Sequence, residues 1–219
     1  MRRAVVVVAV VGAAVAAVVG VALSRGGGSE NKTVADVAGR TITRGQLELM
    51  VEHFHEEADR EGRLFPERGT SAYRVVERQS LALLVERAKI ETAGARLGVH
   101  VTDAQVERRI AASGGGEDES GGSIRVRAEA AYLRSTVRAQ LVMEAVSRKL
   151  TAGMTIAPAA VRRYYADHRA VYHGVAFNSV ARAIRAQLLA ERRNAALAKW
   201  LARARRTEHA EIRDPTLRA

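Results

Sequence analysis

Histidines and carboxylates have the widest chemical reach in this chain, and their spacing argues against most uses. His53 and His55 stand in the run EHFHEE at 52–57. Positions i and i+2 of a helix point about 200° apart, so one metal ion cannot readily take both. Both read as surface histidines. His168 and His173 have no HExxH-type context and read the same way. Glu117, Asp118 and Glu119 cluster inside SGGGEDESGGS (113–123), without the alternating ligands of a calcium loop. There is no serine-nucleophile signature, no phosphate-cradling glycine loop and no CxxC pair; the chain has no cysteine at all. These residues lead to the expectation of no catalytic residue, no metal and no cofactor.

Two sets of side chains remain that can bind rather than react. Tyr164, Tyr165, Tyr172, Phe177 and Trp200 gather most of the aromatics of a chain in which aromatics make up 4%. They serve either as the seal where two helices meet or as the floor of a groove for extended apolar segments. The second set is cationic. The formal net charge is +11. Residues 160–206 hold 11 Arg and Lys against Asp167 and Glu191, whereas residues 26–159 balance at 19 of each sign. Such a segment is either a solvated helix face written in arginine or a surface for anionic lipid, wall polymer, nucleic acid or acidic polypeptide. Sparse aromatics and the absence of a nucleic-acid-binding motif make nucleic acid the least suited of these partners.

The elements that must position both sets follow from local signals. VADV (34–37) and TIT (41–43) flank Ala38, Gly39 and Arg40, two short strands around a turn. Thr43 and Gln46 have capping-box spacing and start a helix running to about Gly62, with Leu47, Val51, Phe54 and Ala58 on one face. A loop with Pro66 and Gly69 precedes a long helix over 71–97, ended by Gly98 at C′ with Val99 behind it. Thr102 and Gln105 repeat the capping box and open a short helix through Val106 and Ile110. After the low-complexity loop 113–123 come a second long helix over 125–150 and a TIAP link. Pro158 then opens a helix to about His168, and a last helix spans about Ser179 to Arg206. AEIR (210–213) is a strand candidate expected to pair with VADV, because a lone two-stranded ribbon is marginal.

Residues 4–23 (AVVVVAVVGAAVAAVVGVAL) are uncharged and follow Arg2 and Arg3. As a helix at about 1.5 Å per residue they would span roughly 30 Å, the hydrocarbon thickness of a bilayer. The run is longer than a usual signal-peptide core, which favours an uncleaved anchor. Small residues at Ala22 and Ser24 leave a cleaved signal peptide open. The preceding arginines favour residues 1–3 inside and the rest outside the cytoplasm. RGGGSENKT (25–33) reads as a flexible tether, so 24–33 is the expected linker, 34–213 the folded domain and 214–219 a tail.

Taken in order, these pieces resemble the N-terminal chaperone domain of SurA-like and PrsA-like foldases. The matching stretches are VADVAGRTIT (34–43), set against a pattern close to V-A-x-V-N-G-x-x-I-T, and ARLGVHVTDAQVERRI (95–110). VRRYYADHRAVY (161–172) is similar to the segment leading into the family's parvulin-type isomerase domain, and residues 180–212 are similar to the helix and strand that follow it. Ala38 departs from the family's usual asparagine. In the isomerase-bearing members a whole domain lies in the gap where this chain has only His173 to Ala176. An independent domain needs roughly 40 residues or more, so no parvulin active site fits there.

The resemblance implies a mostly α fold: a helical chaperone core, a small sheet joining N- and C-terminal strands, and an N-terminal transmembrane helix. It also implies a membrane-tethered or secreted extracytoplasmic chaperone for unfolded or emerging polypeptides, without isomerase activity. The expected client site is an apolar groove between the 71–97, 125–150 and C-terminal helices. Its candidate residues are Leu84, Leu133, Val137, Tyr164, Tyr165, Tyr172, Phe177 and Trp200. The alternative is a basic adaptor that docks on anionic lipid or wall polymer through Arg185, Arg192, Arg193, Arg203 and Arg205. An active prolyl isomerase is a third reading, carried by family membership alone.

Overall fold

The computed structural model describes residues 29–113 and 123–218. The apolar run 4–23, the start of the tether and the acidic cluster of the 113–123 loop lie outside these residues. Among the described residues no helix is long and apolar enough to cross a membrane.

The chain opens with β1 (Thr33–Val37) and β2 (Arg40–Thr43), paired antiparallel with Val37 opposite Arg40. The two residues between them, Ala38 and Gly39, both have positive φ (52° and 87°), as a type I′ hairpin turn requires. The Asp36 side chain accepts from the Gly39 N–H at 2.9 Å. A Cβ-bearing, non-polar residue in the left-handed region costs about 1–2 kcal/mol, while asparagine tolerates it. Ala38→Asn should therefore raise stability by about 1 kcal/mol, seen as a few degrees in Tm. An unchanged or lower Tm would show that the turn carries no such strain.

Both capping boxes are formed. Thr43 opens α1 (Arg44–Arg60) and Thr102 opens α3 (Asp103–Ala112), each accepting from the N3 glutamine amide while that glutamine's side chain accepts from the cap N–H. Between them α2 (Ser71–Arg96) ends in a Schellman arrangement. The Val99 N–H reaches the Gly94 carbonyl at 3.0 Å and the Gly98 N–H the Ala95 carbonyl at 2.8 Å, with Gly98 at φ +71°. α4 (Ile124–Thr151), α5 (Pro158–Asp167), a 3₁₀ turn (Arg169–Tyr172), α6 (Phe177–Thr207), β3 (Ala210–Ile212) and a final 3₁₀ turn (Pro215–Leu217) complete the order. β3 pairs antiparallel with β1, giving a three-stranded sheet in the order β2-β1-β3.

α2 is the centre of the molecule: it touches β1, β2, α1, α4, α6 and the last 3₁₀ turn. Its wide apolar stripe is used on both sides. Leu81 and Ala88 join Val34, Val37, Ile42, Leu47 and Val51 in the core against the sheet. Ile90 and Leu97 face a second cluster built on Val99, Val142 and Val146. Gly94 lets α2 and α4 approach closely: a Cβ there would sit 3.0 Å from Val142 Cγ1.

Both ends of the expected domain need correction. Residues 29–32, expected as free linker, form a turn fastened to α1, with the Arg44 and Gly45 amides donating to the Lys32 and Glu30 carbonyls. Residues beyond 213, expected as a tail, enter the core: Leu217 is buried with Val34 and Leu47. Arg44 holds this end by bridging Glu77 and the buried Asp214. Burial alone would push the Asp214 carboxyl up. The Thr216 hydroxyl and amide, with Arg44, hold it below its ordinary value instead.

His53 is also corrected. It is buried where α1 meets α4, its ring stacked on Tyr132 at 3.6 Å, with the Arg87 guanidinium 5.0 Å from the centre of that tyrosine ring. Its Nδ1 has no hydrogen-bond partner. Burial pushes its pKa below 6.5, with Arg60 and Arg87 acting in the same sense against Glu57 and Glu129. The unfolded chain then binds a proton before the native state does. Stability from this site is complete above about pH 6.5 and is lost as pH falls from there through the native pKa. His53→Phe keeps the stack and should flatten this acid loss in melts compared between pH 7.5 and 5.0. An equal acid loss in the variant would remove His53 as its source.

Candidate client-binding surface

α5 and the first half of α6 form a pair that packs on little else. Pro158 sits in the first turn of α5, as its missing N–H allows. Val161 and Ile184 are the pair's buried side chains. Arg192 on α6 donates to the Thr155 carbonyl at 3.1 Å and ties the start of α5 down. The chain reverses at His173 and Gly174, both at positive φ (43° and 82°), and the Val175 N–H closes onto the Tyr172 carbonyl at 2.8 Å. Only residues 173–176 separate the 3₁₀ turn from α6, and no parvulin domain lies among the described residues.

Four of the predicted aromatics meet here. The Tyr165 ring lies 5.4 Å from Tyr172 and 5.5 Å from Phe177, edge-on to the latter. Its hydroxyl donates to the Val175 carbonyl at 2.6 Å. Tyr164 stacks on His168 at 4.1 Å, and its hydroxyl accepts from Gln187 at 3.0 Å. Desolvation by its neighbours, then Tyr164, pushes the Tyr172 phenol upward, so it stays a neutral donor and acceptor at any physiological pH. In the turn that carries Tyr172 and leads to Phe177, Val171 and Val175 stand 67% and 45% exposed. The result is an exposed apolar pair at the same end of the α5–α6 hairpin as the half-buried rings. Its physical capacity is to cover apolar side chains of another polypeptide, with backbone and phenol groups at hand for hydrogen bonds.

The other predicted residues lie elsewhere. Trp200 is 23 positions further along α6 and packs with Val99, Val142 and Val146; it does not meet the tyrosines. Val137 is buried with Val106 and Ile110 under α3. Leu84 packs half-buried on the sheet-side core, and Leu133 is exposed on α4. The expected groove between α2, α4 and α6 is not open. Those helices touch pairwise, and Ile90, Val142, Val146, Leu197 and Trp200 fill the space between them.

The apolar face of α6 explains why Trp200 parted from the tyrosines. Phe177, Val180, Ile184 and Leu188 face one way, toward α5; Leu197, Trp200 and Ala204 face about half a turn round, toward α2 and α4. Residues 190–195 between them are exposed on every side. Of the predicted cations, Arg185, Arg192, Arg193 and Arg203 are exposed on α6, whereas Arg205 is engaged with Glu86.

A second apolar feature escaped the sequence reading. Phe65, Tyr73 and Val51 line a cavity of about 380 Å³ between α1 and the loop before α2, with His55, Glu52 and Arg68 on its rim. Phe65 is 4.6 Å from His55 and edge-on to Tyr73, and Leu64 beside them is fully exposed. The signal was there in Leu64 and Phe65 directly before Pro66: large apolar residues in a loop that half-buries one and exposes the other.

The described residues form a helical domain closed by a small sheet that joins the first strand to the last, with an apolar tip at the α5–α6 turn. The family described as the SurA-like N-terminal domain matches residues 1–115, more than half of the chain. The chain therefore belongs to the SurA-like N-terminal domain family, a family of chaperone-like foldases. No curated protein matches it.

Proposed function

We propose that this protein is an extracytoplasmic holding chaperone, membrane-tethered or secreted, that covers apolar segments of unfolded or emerging polypeptides and carries out no prolyl isomerisation. The observation that carries the reading is the tip of the α5–α6 pair, where Val171 and Val175 stay exposed in the turn that also holds three packed aromatic rings. Grouped exposed apolar side chains are the raw material of contact surfaces. Family membership supplies the class of occupant, an extended apolar stretch of a client chain. The four-residue link at 173–176 supports the non-enzymatic part, since it replaces a domain with a turn. The apolar run 4–23 supports the address.

Binding of this kind is weak and broad, because contact area is small and no nucleotide drives release. The test is suppression of light scattering by an aggregating, chemically unfolded client at near-stoichiometric amounts of the full chain in detergent or nanodiscs. Delay of aggregation that persists at 0.5 M NaCl is the expected result. No delay at large excess overturns the reading. A protease-coupled prolyl peptide assay should show the uncatalysed rate; acceleration would restore the isomerase reading.

A further inference from the structure

We propose that the solvent-facing stripe of α6 is a docking surface for the phosphate headgroups of an anionic bilayer, laying the domain down on the membrane that tethers it. At 100° per residue, Arg185, Arg192, Lys199, Arg203 and Arg206 fall within about 60° of arc and extend over about 31 Å. All five are exposed, and none has a carboxylate partner among the described residues. In the second half of the helix this stripe is centred about 120° round from the Leu197, Trp200 and Ala204 face that packs on α2 and α4. The fold therefore presents it outward. The one carboxylate on α6, Glu191, is turned away from the stripe, and its side chain accepts from Gln187 at 2.9 Å. Elsewhere Arg40, Arg44, Arg96, Arg125 and Arg138 each meet a carboxylate. On α6 only Arg205 does so among the described residues.

Two observations select a bilayer as occupant. Four of the five cations are arginines, whose planar fork matches phosphate oxygens in pairs. Position supplies the other. β3 follows α6 and pairs with β1, Ala210 opposite Val37, so the last turn of α6 lies beside that strand. Thr33 is four residues or about 13 Å along it, and residues 29–32 turn from there onto α1. The six residue steps from 23 to 29 reach at most about 21 Å. A bilayer holding residues 4–23 is thus within reach of the stripe at high effective concentration. The proposal rests on the tethered form of the reading above, not on client binding.

The test uses the full chain in nanodiscs of phosphatidylcholine alone or with 30% phosphatidylglycerol. Ala195→Cys, exposed on α6 in a chain otherwise free of cysteine, carries a donor dye, and the headgroups carry an acceptor. Energy transfer should be high only with phosphatidylglycerol and should fall at 0.5 M NaCl. Neutralising Arg185, Lys199, Arg203 and Arg206 to glutamine should abolish it, each charge weighing about five-fold in affinity and the four several hundred-fold. Neutralising Arg68 and Arg74 on the α1–α2 side should leave it unchanged. Equal transfer in both lipids, or full transfer in the quadruple variant, overturns the proposal. So does capture by a soluble anionic wall polymer in place of the lipid. Retention of the chain by discs at high salt reports the tether separately. Client protection, measured on the same quadruple variant, is expected to be unchanged, which separates failure of this surface from failure of the chaperone reading.

Discussion

Replacing Leu81 by alanine should cost about 3–4 kcal/mol and lower Tm by about 10 °C. Leu81 is only 1% exposed where α2 crosses the sheet, among Val34, Val37, Ile42 and Leu47. Its removal leaves a cavity that cannot collapse from either side. The strands are fixed by their ladders, and α2 is pinned at its far end by the close approach at Gly94. Because α2 contacts β1, β2, α1, α4 and α6, the loss should be global: far-ultraviolet circular dichroism and tryptophan fluorescence of Trp200 should melt together. Separate transitions would show that the sheet-side core and the Val142–Trp200 cluster unfold independently. A loss below about 1 kcal/mol would mean that the site repacks and that α2 is not the keystone described here.

The second large effect is functional. Val171→Ser with Val175→Ser should weaken client protection about thirty-fold while changing Tm by less than about 1 °C. Each valine, once covered by a client, contributes roughly 1 kcal/mol through the apolar groups that serine lacks. Neither side chain is spent on the protein's own core. The comparison variant is Leu64→Ser, the fully exposed neighbour of Phe65, which lines the α1–α2 cavity. If Leu64→Ser removes protection and the tip variant does not, clients bind at the α1–α2 cradle and the tip assignment is wrong. If Ile184→Asp, which unseats α5 from α6, leaves protection intact, the tip is wrong as well. Aggregation kinetics at several client ratios decide among these, since a shift in apparent affinity is distinguishable there from a loss of folded protein.

What was legible in the residues is what local chemistry specifies. Thr43 with Gln46 and Thr102 with Gln105 place two helix starts, because a side chain and an amide three residues apart meet whatever surrounds them. Gly98 before Val99 places a helix end for the same reason. Pairing of AEIR with VADV was legible through a simple economy: two strands make a marginal ribbon and a third was available. The family pattern and the four-residue gap after Tyr172 were likewise read along the chain, in order and length. The family profile now covers residues 1–115.

The placement of the candidate site was legible only in part. Tyr164, Tyr165, Tyr172 and Phe177 are close in sequence and stayed close in space. Trp200 and Val137 went to other cores, because helical periodicity tells which residues share a face and not which neighbour that face meets. His53 shows the same gap: spacing argued correctly against chelation, but could not show that Tyr132, 79 positions on, would cover its ring.

By itself the sequence determined the element order, the caps, the family and the crowding of cations on one stretch. These follow from contacts within a few residues or from composition. Only the tertiary structure decided that α6 turns one apolar face to α5 and, half a turn round, another to α2 and α4. That rotation depends on which helices lie alongside. It closes the expected groove, leaves the aromatic tip standing clear and turns a run of arginines into an outward stripe.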